Sequence, residues 1–205
     1  LAGIKAKRQK QLRSFLDLCK KAGFEPMPFQ KKIASAFFGS ERELLILLAR
    51  GNGKSLVLAA LAVYHLLTTP EPRIYVAAAS REQAGVVHEY AVRIARALDP
   101  QIVVNQREIR TGDGYLRVVA SDAGKLQGLT PSLVLIDELH AHKDESVYLA
   151  MRTALAKRED AKLCVISTAG QGAESALGQL RRRALATPNV QVRGALTDAR
   201  GDTIR

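Results

Sequence analysis

Apolar residues in the first part of the chain recur at three- and four-residue intervals, and from residue 43 they gather into short continuous runs. Leu12, Phe15, Leu16, Cys19 and Ala22 predict an amphipathic helix over residues 4–22, with lysines and arginines on its other face. That basic face reads equally as a solvated surface or as one turned toward DNA. Gly23-Phe24-Glu25-Pro26-Met27-Pro28 breaks the helix, and a second short one is expected over residues 29–38, ending at Gly39. Strand and helix signals then alternate. Residues 43–49 read as a strand, 54–68 as a helix, 73–79 as a strand, and 81–97 as a helix that Ser80 can cap. Short strands follow over residues 102–104, 107–111 and 115–120, with Gly112-Asp113-Gly114 as a hairpin turn. A polar, glycine-bearing loop spans residues 121–131. A buried strand is expected at 132–137, a helix at 145–158, a strand at 162–167, a helix at 174–187 and a last strand at 189–196.

The strand runs are continuous rather than alternating, as in strands covered on both faces. The order of elements predicts an α/β fold with a mostly parallel central sheet flanked by helices. Three units are expected: a basic N-terminal helix over residues 1–23, the α/β domain over 24–196, and the start of a linker over 197–205. The chain opens on Leu1 rather than Met, as a piece of a longer protein would.

The first candidate site is Leu44-Leu45-Ile46-Leu47-Leu48-Ala49-Arg50-Gly51-Asn52-Gly53-Lys54-Ser55. A buried strand delivers a glycine-bearing loop, and a helix starts at once behind it. The N–H groups of such a loop, here through Gly51, Asn52 and Gly53, and the helix N-terminus together suit a phosphate. Lys54 is placed to reach β- and γ-phosphates, and the Ser55 hydroxyl to ligate Mg²⁺. The usual spacing puts a glycine at position 48, where this chain has Leu48, and Arg50 is an unusual loop residue.

A second site follows 83 positions after Lys54, where Leu133-Val134-Leu135-Ile136 ends in Asp137-Glu138. Acids at the carboxyl end of a buried strand lie where open α/β sheets bind ligands. Asp137 would hold Mg²⁺, and Glu138 would polarise the water that attacks a γ-phosphate. Ser167-Thr168-Ala169-Gly170 ends the next buried strand. It is expected beside the phosphate-loop strand with its polar tip toward the γ-phosphate, or as a plain helix cap. Gln30 offers an amide donor and acceptor suited to an adenine edge, or is an exposed helix residue. Ser80-Arg81-Glu82-Gln83-Ala84 would contact DNA or a neighbouring subunit, or simply cap a helix. Arg152, Lys157, Arg158, Arg181, Arg182 and Arg183 would touch phosphate or reach a neighbour's nucleotide, or form solvated helix faces. His140 and His142 lack zinc-like spacing and read as supporting or surface residues.

Charge and composition narrow the partners. Lysine and arginine number 31 against 20 acids, a net charge of +11, which favours an anionic partner such as nucleic acid. Cys19 and Cys164 are too few for a disulfide framework or a zinc site and point to a reducing compartment. No uncharged apolar stretch reaches 18 residues, and the N-terminus lacks the apolar segment and cleavage site of a signal peptide.

Taken in order, the motifs resemble the ATPase domain of a tailed-bacteriophage terminase large subunit, a P-loop NTPase of the RecA-like type with a catalytic glutamate. They are Pro-Phe-Gln at 28–30, Ala-Arg-Gly-Asn-Gly-Lys-Ser at 49–55, Ala-Ala-Ser-Arg-Glu-Gln-Ala at 78–84, Ser-Asp-Ala-Gly-Lys-Leu-Gln-Gly-Leu-Thr-Pro-Ser at 121–132, Leu-Ile-Asp-Glu-Leu-His at 135–140 and Ser-Thr-Ala-Gly at 167–170. The resemblance covers most of residues 24–196, and a phosphate loop that lacks its first glycine and carries an arginine is itself a trait of that family.

The resemblance implies an ATP- and Mg²⁺-dependent motor that drives double-stranded DNA into a procapsid. It further implies a homo-oligomeric ring on the portal protein, a small terminase subunit as partner, and the host cytoplasm as its place of work. Position by position, it implies phosphate and Mg²⁺ binding by Lys54 and Ser55, Mg²⁺ assistance by Asp137 and a base role for Glu138. It also implies adenine contact by Gln30, a coupling motif in Ser167, Thr168 and Gly170, and charge stabilisation in cis by Arg50. Such proteins continue into a nuclease domain, and nothing after residue 196 supplies one, as expected of an ATPase domain cut at its linker. The alternatives are a superfamily-2 helicase or translocase fragment, whose acidic box resembles Asp-Glu-Leu-His, and a DNA clamp that binds nucleotide without turnover.

Overall fold

A computed structural model describes residues 2–120, 128–168, 172, 174–186, 196–197 and 203–204. The helix α1 (Ala2–Lys21) and the short α2 (Pro28–Phe37) precede a seven-stranded sheet. Its strands are β1 (Glu43–Leu47), β2 (Arg73–Ala78), β3 (Val103–Asn105), β4 (Glu108–Thr111), β5 (Gly114–Ala120), β6 (Leu133–Asp137) and β7 (Lys162–Ser167). The spatial order is β1-β7-β6-β2-β5-β4-β3. The first five in that order run parallel, and β4 and β3 extend the sheet antiparallel through two hairpins. The helices α3 (Lys54–Thr68), α4 (Arg81–Leu98), α5 (Ser146–Ala154) and α6 (Ala176–Ala186) cover its faces.

Successive residues of a strand point to opposite faces, so each buried run feeds two cores at once. Ile74, Val76, Leu133, Leu135, Cys164 and Ile166 pack with α1 to α4. Tyr75, Ala77, Val134, Ile136, Leu163 and Val165 face the other way, toward α5 and α6. Helix α3 is enclosed nearly all round, with Leu58 to Val63 fully buried, which explains its apolar composition. Helix α1 belongs to the same core: Phe15 packs edge-on against Phe38 and Tyr64, and Cys19 is buried beside them. Burial pushes both thiols, Cys19 and Cys164, up to about 12 and leaves them unreactive.

Several boundaries differ from those the sequence predicts. The strand expected over residues 43–49 ends at Leu47, although the Leu48 N–H still donates to Ser167 O at 3.0 Å. The helix expected over residues 145–158 stops at Ala154 and tightens into a 3-10 turn, Leu155–Lys157. There the Arg42 guanidinium draws the carbonyls of Leu155 and Arg158 together, at 2.9 and 2.6 Å. The last strand, expected over residues 189–196, lies outside the described residues except for Leu196, which belongs to a small hairpin, Leu196–Thr197 with Thr203–Ile204. Among the described residues no helix is long and apolar enough to cross a membrane.

Candidate nucleotide site

The strand order brings the chemistry together. β7 is inserted between β1 and β6, so the phosphate loop, the Ser167-Thr168 tip and the Asp137-Glu138 pair leave the sheet side by side. Glycine is required within the loop. Gly51 and Gly53 lie in the left-handed region (φ 79° and 60°), and a Cβ on Gly53 would come within 3.0 Å of Gln30 Nε2. Asn52 Nδ2 donates to Ala49 O at 3.2 Å and closes the loop on itself.

A cleft of about 330 Å³ opens over the loop. It is lined by Arg50, Gly51, Gly53, Lys54 and Ser55 on the loop side, by Glu138 and His140, and by Gln83, Val86 and Tyr90 of α4. Lys54 is almost wholly buried. Its Nζ lies 3.2 Å from Ala49 O and 3.1 Å from Glu138 Oε1, so the loop cation rests on the acid it faces. An arriving phosphate would compete with that carboxylate for the same ammonium. Arg50 stands exposed at the rim.

Ser55 Oγ donates to Asp137 Oδ2 at 3.0 Å, while Asp137 Oδ1 is buried without a partner. Burial raises the Asp137 carboxyl to about 6, against the opposing pull of the Ser55 hydrogen bond. An oxygen pair of this kind at a helix start, with one lone-pair set unused, fits a hard divalent cation.

Glu138 adopts a left-handed backbone (φ 51°, ψ 54°), uncommon for a residue with a side chain. The turn is held on both sides: its N–H donates to Ile166 O at 2.8 Å, and its carbonyl accepts from Ala141 N–H at 2.8 Å. Burial by itself would raise the Glu138 carboxyl. The Thr168 N–H, Lys54 and His140 outweigh it and hold the group below the usual carboxylate range. Glu138 Oε2 accepts from Thr168 N–H at 2.9 Å and from Thr168 Oγ1 at 3.2 Å.

Four expectations find their residues gathered here, around Lys54, Ser55, Asp137-Glu138 and Ser167-Thr168, while Gly170 lies outside the described residues. Gln30 is drawn to the loop in a different posture from one facing open space. Its Oε1 accepts from Met27 N–H at 2.9 Å, and its Nε2 lies 3.4 Å from both Asn52 O and Gly53 O. Here its amide caps α2 and tethers the loop. Arg152 of α5, Arg158 just after the 3-10 turn, and Arg182 and Arg183 of α6 meet acids away from the cleft: Glu43, Asp160, Glu174 and Glu145 in turn.

His140 is closer to the chemistry than its sequence context suggested. Its Nδ1 lies 3.1 Å from Glu138 Oε2, Ser167 Oγ and Thr168 Oγ1, and its N–H donates to Ser167 Oγ at 3.2 Å. The signal was its place three residues after Asp137, one turn beyond the acids. His142 is buried, with Nε2 3.2 Å from Asp137 O. Of the Ser80–Ala84 motif, expected at DNA, at a neighbouring subunit or as a helix cap, Ser80 caps α4 and Gln83 lines the cleft; Val86 and Tyr90 of the same wall carry no acid, base or glycine signature.

Comparison with known proteins agrees with this arrangement. The family described as "terminase large subunit, ATPase domain" matches residues 28–185. The fold resembles the large terminase of bacteriophage HK97, with a TM-score of 0.77 at 23% identity, over 94% of this chain and 44% of that one. It also resembles the ATPase domain of the Thermus phage P74-26 large terminase, with a TM-score of 0.65 at 19% identity, over 75% and 69% of the two chains. The chain thus spans less than half of the HK97 protein. No curated protein matches it. The family match falls to terminases, and with 158 residues inside its bounds (28 to 185) the chain belongs to the ATPase-domain family of terminase large subunits.

Proposed function

We propose that this domain hydrolyses ATP with Mg²⁺ and that, within the whole protein, the hydrolysis drives double-stranded DNA into a procapsid. The observation that carries this reading is the meeting of Lys54 with Glu138 and of Ser55 with Asp137 in one cleft. Lys54 and the N–H groups of Gly51, Asn52 and Gly53 would hold the phosphates. Ser55 and Asp137 are the oxygens that would hold Mg²⁺, which when bound neutralises charge on the phosphates.

Glu138 would accept the proton of the attacking water. Its carboxyl, held below the usual range, is ionised at neutral pH and so in the form that can take a proton. Arg50, exposed at the rim, would stabilise charge on the γ-phosphate from within the same chain. Thr168, bonded to Glu138, would register the change from ATP to ADP and pass it through Ser167 and His140 to the sheet. Gln30 would act on adenine only after giving up its bonds to the loop.

The net charge of +11 suits a polyanionic track. The portal protein, a small terminase subunit, a ring of copies and the host cytoplasm complete the reading. A nuclease domain belongs to the whole protein.

The test is phosphate release by the protein with Mg²⁺ and with a chelator, followed by DNA packaging into portal-bearing procapsids. Metal-dependent turnover and packaging are expected. Release that ignores the chelator, or turnover without packaging by the whole protein, would overturn the respective halves of the reading.

A further inference from the structure

Only two residues separate β2 from α4, and β2 lies beside β6 with Ala78 opposite Asp137. That register delivers the first turn of α4 to the edge where the two acids emerge. Ser80 fixes the turn: its Oγ accepts from Gln83 N–H at 3.2 Å, and its carbonyl accepts from Ala84 N–H at 3.0 Å. The Gln83 side chain then lines the cleft together with Lys54, Ser55, Glu138 and His140. Its Oε1 is buried and has no hydrogen-bond partner.

Buried amide oxygens are almost always paired, and this one is both unpaired and shut off from water, so a turn of the unbonded side chain is what would bring it into the cleft to meet a donor there. The phosphates of ATP bring none at neutral pH, because their oxygens only accept. The donor that must enter with them is the water that attacks. The other end of the same amide, Nε2, is a donor and suits a γ-phosphate oxygen. One glutamine can therefore hold both reactants in line.

We infer that Gln83 positions the attacking water against the γ-phosphate while Glu138 takes the water's proton. This rests on the reading of the cleft as an ATP-hydrolysing site. In the step, the water oxygen bonds to the γ-phosphorus as the bond from that phosphorus to the β–γ bridging oxygen breaks. ADP departs with the bridging oxygen and its electron pair, the proton passes to Glu138, and Gln83 changes neither charge nor protonation. Val86 and Tyr90, one and two turns along the same face of α4, set apolar surface beside it.

The experiment compares wild type, Gln83→Leu, Gln83→Glu and Glu138→Gln. It measures single-turnover ATP hydrolysis with enzyme in excess, and affinities for AMPPNP and for ADP with aluminium fluoride. Gln83→Leu is expected to slow hydrolysis about 10- to 100-fold, the range for losing one group that acts on the water. Its AMPPNP affinity should stay within about twofold, whereas ADP–aluminium fluoride should weaken by about the factor lost in rate. Gln83→Glu keeps an acceptor but loses the donor and adds a charge, so it should not rescue the rate. Should the leucine unsettle the fold, as judged by its melting midpoint, Gln83→Asn replaces it with the amide drawn back by one methylene.

The inference is overturned if rate and ADP–aluminium fluoride affinity stay near wild type, or if AMPPNP affinity falls in the same proportion. Equal turnover by wild type and Glu138→Gln would instead bring down the reading of the site. A slow Glu138→Gln beside a normal Gln83→Leu would remove this inference alone.

Discussion

Both ends of the parallel strands carry polar side chains that reach toward the interior, and the two sets are finished differently. At the amino ends each is satisfied from within the protein. Lys162 Nζ donates to the carbonyls of Phe37, Gly39 and Glu41 at 2.8, 2.6 and 3.2 Å, spending its three protons on three acceptors. Arg42 donates to Leu155, Arg158 and Ala161 carbonyls. Ser132 Oγ accepts from Arg73 N–H at 2.9 Å and lies 3.0 Å from His65 Nε2. At the carboxyl ends the accounting stays open: Asp137 Oδ1, Gln83 Oε1 and His142 Nδ1 are buried without partners. Lys54 leans on its own loop and on Glu138. Unsatisfied buried groups cost stability; His88 Nε2, midway along α4, is another, but the pair Asp137 Oδ1 and Gln83 Oε1 at the carboxyl ends marks where a ligand completes the set. The closed end holds the sheet together, and the open end is kept for chemistry.

The largest expected effects come from the open end. Lys54→Ala removes the ammonium that a triphosphate would claim, and nucleotide binding or turnover should fall by at least about 100-fold. Isothermal titration with ATP and phosphate release check it. Glu138→Gln should retain ATP and slow its hydrolysis by roughly 10² to 10⁴, measured as single-turnover decay with enzyme in excess. Equal turnover by the two proteins would sink the base assignment. Each change also breaks the largely buried Lys54–Glu138 pair, so melting temperature is read beside binding and turnover to separate loss of the fold from loss of the site.

The closed end should respond in the opposite sense. Lys162→Met removes the ammonium that stands 5.7 Å over the Phe37 ring and strands three carbonyls, and the protein should lose roughly 2 kcal/mol of stability. Urea unfolding reads that loss, and ATP affinity of the folded protein should be unchanged. A weakened affinity would show that the two ends are not independent.

How far the sequence reaches differs between these ends for a physical reason. Continuous apolar runs announced β6 and β7, which are buried on both faces and so show no alternation, and also β1, whose run is just as continuous although it lies half-exposed at the sheet edge. The Gly-Asn-Gly-Lys-Ser loop and the Asp137-Glu138 pair were legible because phosphate and metal chemistry allow few residue types at few spacings. Gln83 was not, because an amide in the first turn of a helix looks like any solvated residue until Ser80 and the Ala78–Asp137 register aim it at the cleft. The tether from Gln30 to the loop escaped for the same reason, depending on carbonyls 22 and 23 residues away. At the amino ends, Lys162 and Arg42 read as ordinary surface charges in a basic chain. Their targets are carbonyls of distant segments, which no local pattern encodes. Helix α1 was set apart by its charge, yet Phe15 and Cys19 seat it in the main core.

The smallest effect concerns pH and tests whether the closed end is truly closed. Burial holds His65 at about 4, below its ordinary 6.5, so the folded protein favours the neutral ring beside Ser132. Above pH 6.5 the ring is neutral in both states and folding carries no penalty from it. As pH falls through 6.5 the unfolded chain takes up a proton that the folded one refuses until about pH 4. Stability is therefore lost on acidification, by roughly 1–2 kcal/mol from this group between pH 7 and 5. His88 and His142 are lowered in the same direction, so the wild-type slope alone cannot isolate His65. His65→Gln keeps a hydrogen-bonding partner for Ser132 and removes the titration. Its urea midpoint should fall less than that of wild type between those pH values. An identical fall in both proteins would mean that His65 takes up its proton in the folded state as readily as in the unfolded chain. The amino end would then be no better sealed than the cleft.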